Sequence, residues 1–290
     1  MKPSSFDYVR PSTKAEVLTL LAQDPDESKI LAGGQSLVPM MNFRLARPGK
    51  LIDINSVPGL AGIDERGDRL HIAARTRHIS VQNYAGNGPL AKVLRYAATQ
   101  VGHLPIRTRG TFGGSLAHSD AASEWCLIAR LFDAEVTVES VRGQRTIGAT
   151  DFFQSLFTTA MEPDELLVDV SLPLLDSTHQ TGFAEFARRA GDFAIVAVTT
   201  DIAVNSGRVT AARVCVGGVS DIPFRSEAAE SLLTGSVWPE TPAKSDLIIE
   251  AAEAIAAEVT PSSDSHGDAA YRKDLIRALF PRSVAQGAGQ

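Results

Sequence analysis

Two stretches decide how this chain is read: Ala32-Gly33-Gly34-Gln35-Ser36-Leu37-Val38-Pro39 and Thr111-Phe112-Gly113-Gly114-Ser115-Leu116-Ala117-His118-Ser119-Asp120. The first follows Lys29-Ile30-Leu31, a short apolar run that reads as a strand. A glycine pair directly after a strand can aim successive backbone N–H groups at an anion, because glycine tolerates positive φ and has no side chain to block close approach. A single such pair is more often a plain tight turn. A second pair about eighty positions on, again with hydroxyls beside it, points to two cradles and a ligand with two phosphates.

Working outward, Thr13 and Glu16 form a capping box for a helix whose apolar stripe is Val17, Leu18, Leu20 and Leu21. Leu51-Ile52-Asp53-Ile54 follows the first glycine pair as a second strand, and Leu70-His71-Ile72-Ala73 reads as a third. Pro89 opens a helix with Leu90, Val93, Leu94, Ala97 and Val101 on one face, stopped by Gly102. Past the second pair, a helix over about 121–131 leads into the strand Ala134–Val138, and Leu166–Leu172 is a strand closed by Pro173. The polar stretch 176–181 marks the expected boundary between a domain of 1–176, with parts of about 1–56 and 57–176, and one of 177–290. Beyond it come three expected strands, 183–189, 195–204 and 209–216, the last two joined by Asn205-Ser206-Gly207. Expected helices at 227–233, 246–259 and 271–280 follow, with a frayed tail from Arg282. Runs of strands followed by runs of helices place the chain in the α+β class.

The 290 residues carry 28 Lys+Arg against 34 Asp+Glu, a net charge of -6, which argues against a phosphate-backbone partner such as nucleic acid. No apolar run approaches the ~18 residues of a membrane span, and the N-terminus has no apolar signal core, so a cytoplasmic protein is expected. The only two cysteines, Cys126 and Cys215, lie in apolar stretches and read as buried thiols. Two thiols cannot hold an iron–sulfur cluster, a four-cysteine zinc site or a disulfide framework.

Gly86-Asn87-Gly88-Pro89-Leu90-Ala91 has dinucleotide-fingerprint spacing but follows a polar segment, and no acidic residue stands about twenty positions on. There is no phosphate loop ending in Gly-Lys-Ser/Thr, and Ser36 lacks the flanking glycines of a nucleophile elbow. His71, His78 and His103 read as surface or hydrogen-bonding histidines. His118, just past the second pair, could reach a ligand phosphate or hydroxyl. Arg107 and Arg109 could offset ligand charge, and Glu124 could accept from a sugar; a solvated position is the competing reading for each.

Taken together, the two glycine stretches resemble the FAD-binding medium subunit of molybdenum hydroxylases, the family of the carbon monoxide dehydrogenase medium subunit and the xanthine dehydrogenase flavin domain. The likeness extends to Asn42–Pro48, Ala187–Ala194, Gly217–Pro223 and Tyr271-Arg272-Lys273, and so to nearly the whole chain. It implies a vanillyl-alcohol-oxidase (PCMH)-type FAD domain of two α+β subdomains, covered by a small C-terminal α+β domain with a three-stranded antiparallel sheet. It implies non-covalent FAD, with its diphosphate held by Ala32, Gly33, Gly34, Gln35, Ser36 and Leu37, preceded by Leu31. Thr111, Gly113, Gly114 and Ser115, preceded by Gly110, would complete the hold. His118 would lie near the ribityl or phosphate part, Glu124 near the ring's polar edge, Leu166 and Leu167 against flavin or adenine, and Asp192 and Phe193 over the ring. Some relatives have tyrosine where Phe193 stands, so a hydroxyl role is lost there while stacking is retained.

The resemblance also implies partners: a small subunit with [2Fe–2S] clusters, a large subunit with molybdopterin, and an external electron acceptor. The missing cysteines fit that division of labour, and no catalytic acid, base or nucleophile is required in this chain. Two other readings compete, a self-contained flavin oxidase and a cofactor-free assembly module of the same fold.

Overall fold

The computed structural model describes residues 2–289. Strands β1 (Asp7–Val9), β2 (Ser28–Leu31) and β3 (Lys50–Asp53) form a parallel sheet in the order β1-β3-β2. The expected capping box is formed: Thr13 Oγ1 accepts from the Glu16 N–H at 3.2 Å, and the Glu16 carboxylate accepts from the Thr13 N–H at 3.3 Å. The helix it starts, Lys14–Gln23, buries Val17, Leu18 and Leu21 against Ile52 and Ile54. Parallel neighbours need a crossover. The crossover from β2 to β3 opens with the first glycine pair, which puts that loop at the carboxyl end of β2, where open parallel sheets present backbone to ligands.

Next come β4 (Ile63–Arg66), β5 (Arg69–Ala73), β6 (Glu135–Ser140), β7 (Gly143–Gly148), the small hairpin of β8 (Phe153–Ser155) and β9 (Thr158–Thr159), and β10 (Leu166–Pro173). The second sheet is antiparallel, in the order β4-β5-β10-β6-β7. Helices Gly88–Gln100 and Glu124–Leu131 cover it, with Leu94, Phe112, Trp125 and Phe132 at the centre of the core. Pro89 stands in the first turn of its helix, and Gly102, at φ +48°, follows its end, as the sequence indicates. The helix expected from about 121 starts only at Glu124, because a turn closed by the Ser123 N–H on Asp120 O leads into the N-cap Ser123. Strand β10 serves two cores. Leu166 and Val168 enter the first, whereas Leu167, Val170 and Leu172 enter the second, and a bulge between Leu167 and Asp169 changes the alternation between them.

The third sheet comprises β11 (His179–Ala187), β12 (Ala194–Asn205), β13 (Arg208–Gly217) and β14 (Phe224–Arg225), antiparallel in that order. It has four strands rather than the expected three, because β14 is two residues long and pairs only through Cys215 and Val216. Strand β11 begins inside the polar stretch expected to be a linker, since His179 pairs with Ala203 and its Nδ1 meets Asp201 at 2.8 Å. The turn Asn205-Ser206-Gly207 forms with Ser206 and Gly207 both at positive φ.

Helices Glu227–Leu233, Asp246–Glu258 and Ala269–Gly287 close this part of the fold. The last runs seven residues past its expected end and through Pro281. The tail is ordered by β11: Ser283 and Val284 are buried, and the Phe183 N–H donates to Gln286 Oε1 at 2.7 Å. Cys126 and Cys215 are fully buried, and burial pushes both thiols above their ordinary range, Cys215 to about 12.

Candidate functional site

The two glycine stretches meet. A Cβ added at Gly33 would lie 2.5 Å from the Arg109 carbonyl oxygen and 2.7 Å from Gly110 Cα, so glycine is required where the loops touch. Gly34 adopts φ +72°. Among the described residues, the backbone N–H groups of Gly33, Gly34, Gln35 and Ser36 donate to nothing, and the segment is only half-buried. Four successive free amides on a loop that solvent reaches form an anion cradle.

The second stretch differs from expectation. It is no strand-end turn; it forms the first turn of the helix Phe112–His118, and its amides are already committed. Phe112 donates to Thr76 O at 2.9 Å, Gly113 to Ala74 O at 2.8 Å, Gly114 to Thr111 Oγ1 at 3.1 Å and Ser115 to Thr111 O at 3.1 Å. Gly113 is glycine because Ala74 sits on it: a Cβ here would lie 2.7 Å from Ala74 Cα. The two expected equivalent cradles are therefore one cradle backed by one wall. Each half keeps a half-buried hydroxyl, on Ser36 and on Ser115, that makes no bond among the described residues.

The wall rests on His78, which the sequence marks as no more than a surface or hydrogen-bonding histidine. Trp125 Nε1 donates to His78 Nδ1 at 2.9 Å, and the other face of the imidazole abuts Gly110, where no Cβ would fit. Burial, with help from the Arg77 and Arg107 cations, lowers the His78 pKa to about 3. An unfolded histidine titrates near ~6.5, so the unfolded chain binds the extra proton first. The stability that rests on neutral His78 is fully present above about pH 6.5 and drains away as pH falls toward 3, by up to ~1.4 kcal/mol per pH unit. Glu124 and Glu185 act in the opposite direction, because their raised values favour the fold at low pH. Thermal melts from pH 7 to pH 4 should therefore fall less steeply in H78Q than in the wild-type chain, and identical slopes would refute the assignment.

A third element comes from the C-terminal sheet and packs on His103. The segment between β11 and β12 carries Gly191 at φ +85° under the His103 imidazole, and Asp192 and Phe193 follow, Phe193 being 64% exposed. A cleft of about 400 Å³ opens there, lined by Thr99, Gln100, His103 and Arg107 on one side and Glu185 and Arg189 on the other. Arg107 Nε and Glu185 Oε2 are both buried without a partner. Both atoms are sealed from solvent, so each carries an unmet hydrogen-bonding demand in the wall of the cleft. Arg107 uses its Nη1 on the carbonyls of Thr99, Val101 and Gly102, so it holds the cleft wall as well as facing the cleft. Arg109 is exposed, beside Arg77.

Glu124 begins the helix Glu124–Leu131; burial, then the nearby Glu185 and Asp120 carboxylates, pushes it up to about 8. Burial raises Glu185 to about 7. His118 ends the helix Phe112–His118, roughly 10 Å along the axis from its N-cap, and stacks on Phe157 at 4.8 Å. Leu166 and Leu167 are 2% and 5% exposed and packed in two protein cores, which accounts for their apolarity without any ligand. The structure thus unites 31–37 with 109–115, and Glu124 with Glu185. Glu185, Arg77 and Asn55 have no local sequence signal.

Residues 4–175 match the family model described as the FAD binding domain in molybdopterin dehydrogenase, and residues 181–286 match the CO dehydrogenase flavoprotein C-terminal domain. The chain is 39% identical to the 6-hydroxypseudooxynicotine dehydrogenase complex subunit alpha of Paenarthrobacter nicotinovorans, covering 99% of this chain and 95% of that one. It is 37% identical to the nicotine 6-hydroxylase medium subunit of the same organism, over 100% of both. Among solved structures, a chain of carbon monoxide dehydrogenase from Hydrogenophaga pseudoflava superposes with a TM-score of 0.94 at 30% identity, covering 100% of this chain and 99% of that one. A chain of quinoline 2-oxidoreductase from Pseudomonas putida 86 gives 0.92 at 34% identity, with the same coverage. Both glycine stretches lie within the matched FAD binding domain, the two matches together span nearly the whole chain, and relatives of 30% identity or more are covered end to end: the chain belongs to the family of FAD-binding medium subunits of the molybdenum hydroxylases.

Proposed function

We infer that this chain works as the flavin-carrying link of a multi-subunit molybdenum hydroxylase, taking electrons from [2Fe–2S] clusters on a small subunit and passing them to an external acceptor. The observation that carries this reading is the cradle of four free amides set against the second glycine stretch, within a full-length match to medium subunits. When bound, FAD supplies the ability to take electrons singly and release them in pairs.

The chain's own residues bind and orient. Residues 31–37 offer amides and the Ser36 hydroxyl to the diphosphate, and 110–115 form the wall behind it with the Ser115 hydroxyl. Arg107 and Glu185 line the cleft for the ring's polar edge, and Glu124 lies beside Glu185. Asp192 and Phe193 approach from the C-terminal sheet, the phenyl ring shielding the ring face from water. In this reading 1–176 is the cofactor domain, 177–290 its cover, and the complex resides in the cytoplasm. The paucity of cysteines supports placing the clusters on another chain, and the substrate-hydroxylating molybdenum centre on a third.

The test is an absorption spectrum of the chain purified alone, followed by acid precipitation. Flavin bands with FAD, rather than FMN, in the supernatant are expected. Co-purification from its native host should bring iron–sulfur and molybdenum subunits in defined stoichiometry. A folded, colourless chain that FAD cannot reconstitute would favour the assembly-module reading, and reduction of the isolated chain by a small organic substrate would favour a self-contained oxidase.

A further inference from the structure

The two glycine stretches touch, but the contact at Gly33 is only backbone against backbone. What fixes their spacing is a chain of hydrogen bonds behind them. The Arg77 guanidinium donates from Nη1 to the Arg109 carbonyl and from Nη2 to Asn55 Oδ1 at 2.6 Å. Asn55 Nδ2 in turn donates to Ala32 O at 2.9 Å and to Asp53 Oδ1 at 2.6 Å. The Tyr8 hydroxyl donates to the other Asp53 oxygen. Arg77 is also tied to the wall through its backbone, bridging Thr111, while the neighbouring His78 N–H donates to Gly110 O at 3.2 Å. One side chain therefore reaches the wall directly and the cradle through a single relay residue.

The electrostatics of this bridge are unbalanced. Arg77 is half-buried, and burial together with the cations of Arg75 and Arg109 lowers its pKa, with Asp53 the one anion opposing them. Arg75 Nε is buried without a partner. Clustered guanidinium groups of this kind, beside free amides, repel one another until an anion arrives between them.

We propose that Arg77, through Asn55, is the positioning residue that sets the gap between the two glycine loops and so selects a diphosphate over a single phosphate. The inference rests on assigning those loops to the FAD diphosphate. Arginine suits the task because its planar fork reaches two acceptors at once, whereas lysine would carry the charge as a point and serve one.

The test uses the full chain freed of flavin, titrated with FAD and with FMN, for the wild type, R77K, N55A and the double variant. Wild-type protein should bind FAD well over tenfold more tightly than FMN. R77K and N55A should each weaken FAD binding by about tenfold or more, the scale for losing hydrogen bonds to a charged group, and leave FMN binding within about twofold. The double variant should be little worse than either single one, because both break the same bridge. A purely structural role would lower FAD and FMN binding together, and a purely electrostatic one would leave R77K and N55A like the wild type; either result overturns the proposal. Circular dichroism of each flavin-free variant confirms the fold, and N55S replaces N55A should that variant fail to fold. A wild-type chain that binds FMN as tightly as FAD would instead overturn the loop assignment itself.

Discussion

Replacing Gly33 with alanine is expected to leave the purified chain with little or no FAD. The added methyl group would stand 2.5 Å from the Arg109 carbonyl oxygen and 2.7 Å from Gly110 Cα, and both are backbone atoms that cannot rotate away. Overpacking of this sort costs about 1–3 kcal/mol. Here the strain is relieved by parting the loops, and parted loops present the four amides at the wrong distance from the wall. At ~1.4 kcal/mol per decade, FAD affinity should fall roughly tenfold to a hundredfold. Gly34 provides the graded comparison. An alanine there meets only the Leu31 and Val38 side chains at 3.2 Å, but must hold φ +72°, at about 1 kcal/mol. Alanine at Gly148, where nothing lies within 4 Å, should be silent. The flavin-to-protein ratio after gel filtration should therefore fall in the order G148A, G34A, G33A. Full flavin retention by G33A at wild-type affinity would remove the first loop from the diphosphate site.

Local signals are legible because their physics is local. The capping box of Thr13 and Glu16, Pro89 in a first helical turn, Gly102 after a helix end and the Ser206-Gly207 turn each involve residues a few positions apart, and each is found where the sequence puts it. The first glycine loop belongs to the same class, since its free amides follow from a glycine pair at the end of a strand. The second cannot be read in this way. Two of its amides, those of Phe112 and Gly113, are taken by Thr76 and Ala74, more than thirty residues upstream, and nothing in Thr111–Ser115 announces that.

The residues that sequence alone does not single out share that property. Arg77 bonds to partners 22 and 32 positions away, and Asn55 reaches back 23 to Ala32. Glu185 looks like an ordinary exposed position on a strand until the sheet is docked and its Oε2 is left buried without a partner. Conversely, Leu166 and Leu167 stand out as apolar, yet two protein cores take them up. Composition locates the glycine loops; only tertiary packing shows which of their amides are left free.

The largest loss of stability is expected outside both glycine loops, at Gly182. A Cβ there would fall inside the Ser283 carbonyl group, 2.7 Å from its carbon, because the C-terminal helix lies directly on β11 with no side chain between them. Proline at 281 signals a stop, so the sequence alone ends the helix at Phe280; the close contact at Gly182 is what lets Ser283, Val284 and Gln286 dock beyond it. Alanine must push the helix off the strand. That breaks the Ser283–Thr200 hydroxyl bond of 2.9 Å and the Phe183–Gln286 bond of 2.7 Å, at about 1 kcal/mol each. With overpacking of up to ~3 kcal/mol added, G182A should lose about 3–5 kcal/mol, or roughly 10 °C in Tm for a chain of this size. Alanine at Gly207, at φ +75° in an open turn, isolates backbone strain and should cost about 1 kcal/mol. Strand β11 runs on from Gly182 to Glu185 and into the segment that carries Phe193, so loosening its helix also loosens that wall of the cleft, where the proposed function places the flavin. G182A should therefore release FAD at a lower temperature than it unfolds, as followed by flavin fluorescence beside circular dichroism. A melt within about 2 °C of the wild type would show that the helix yields at no cost, and that the tail adds nothing to the fold.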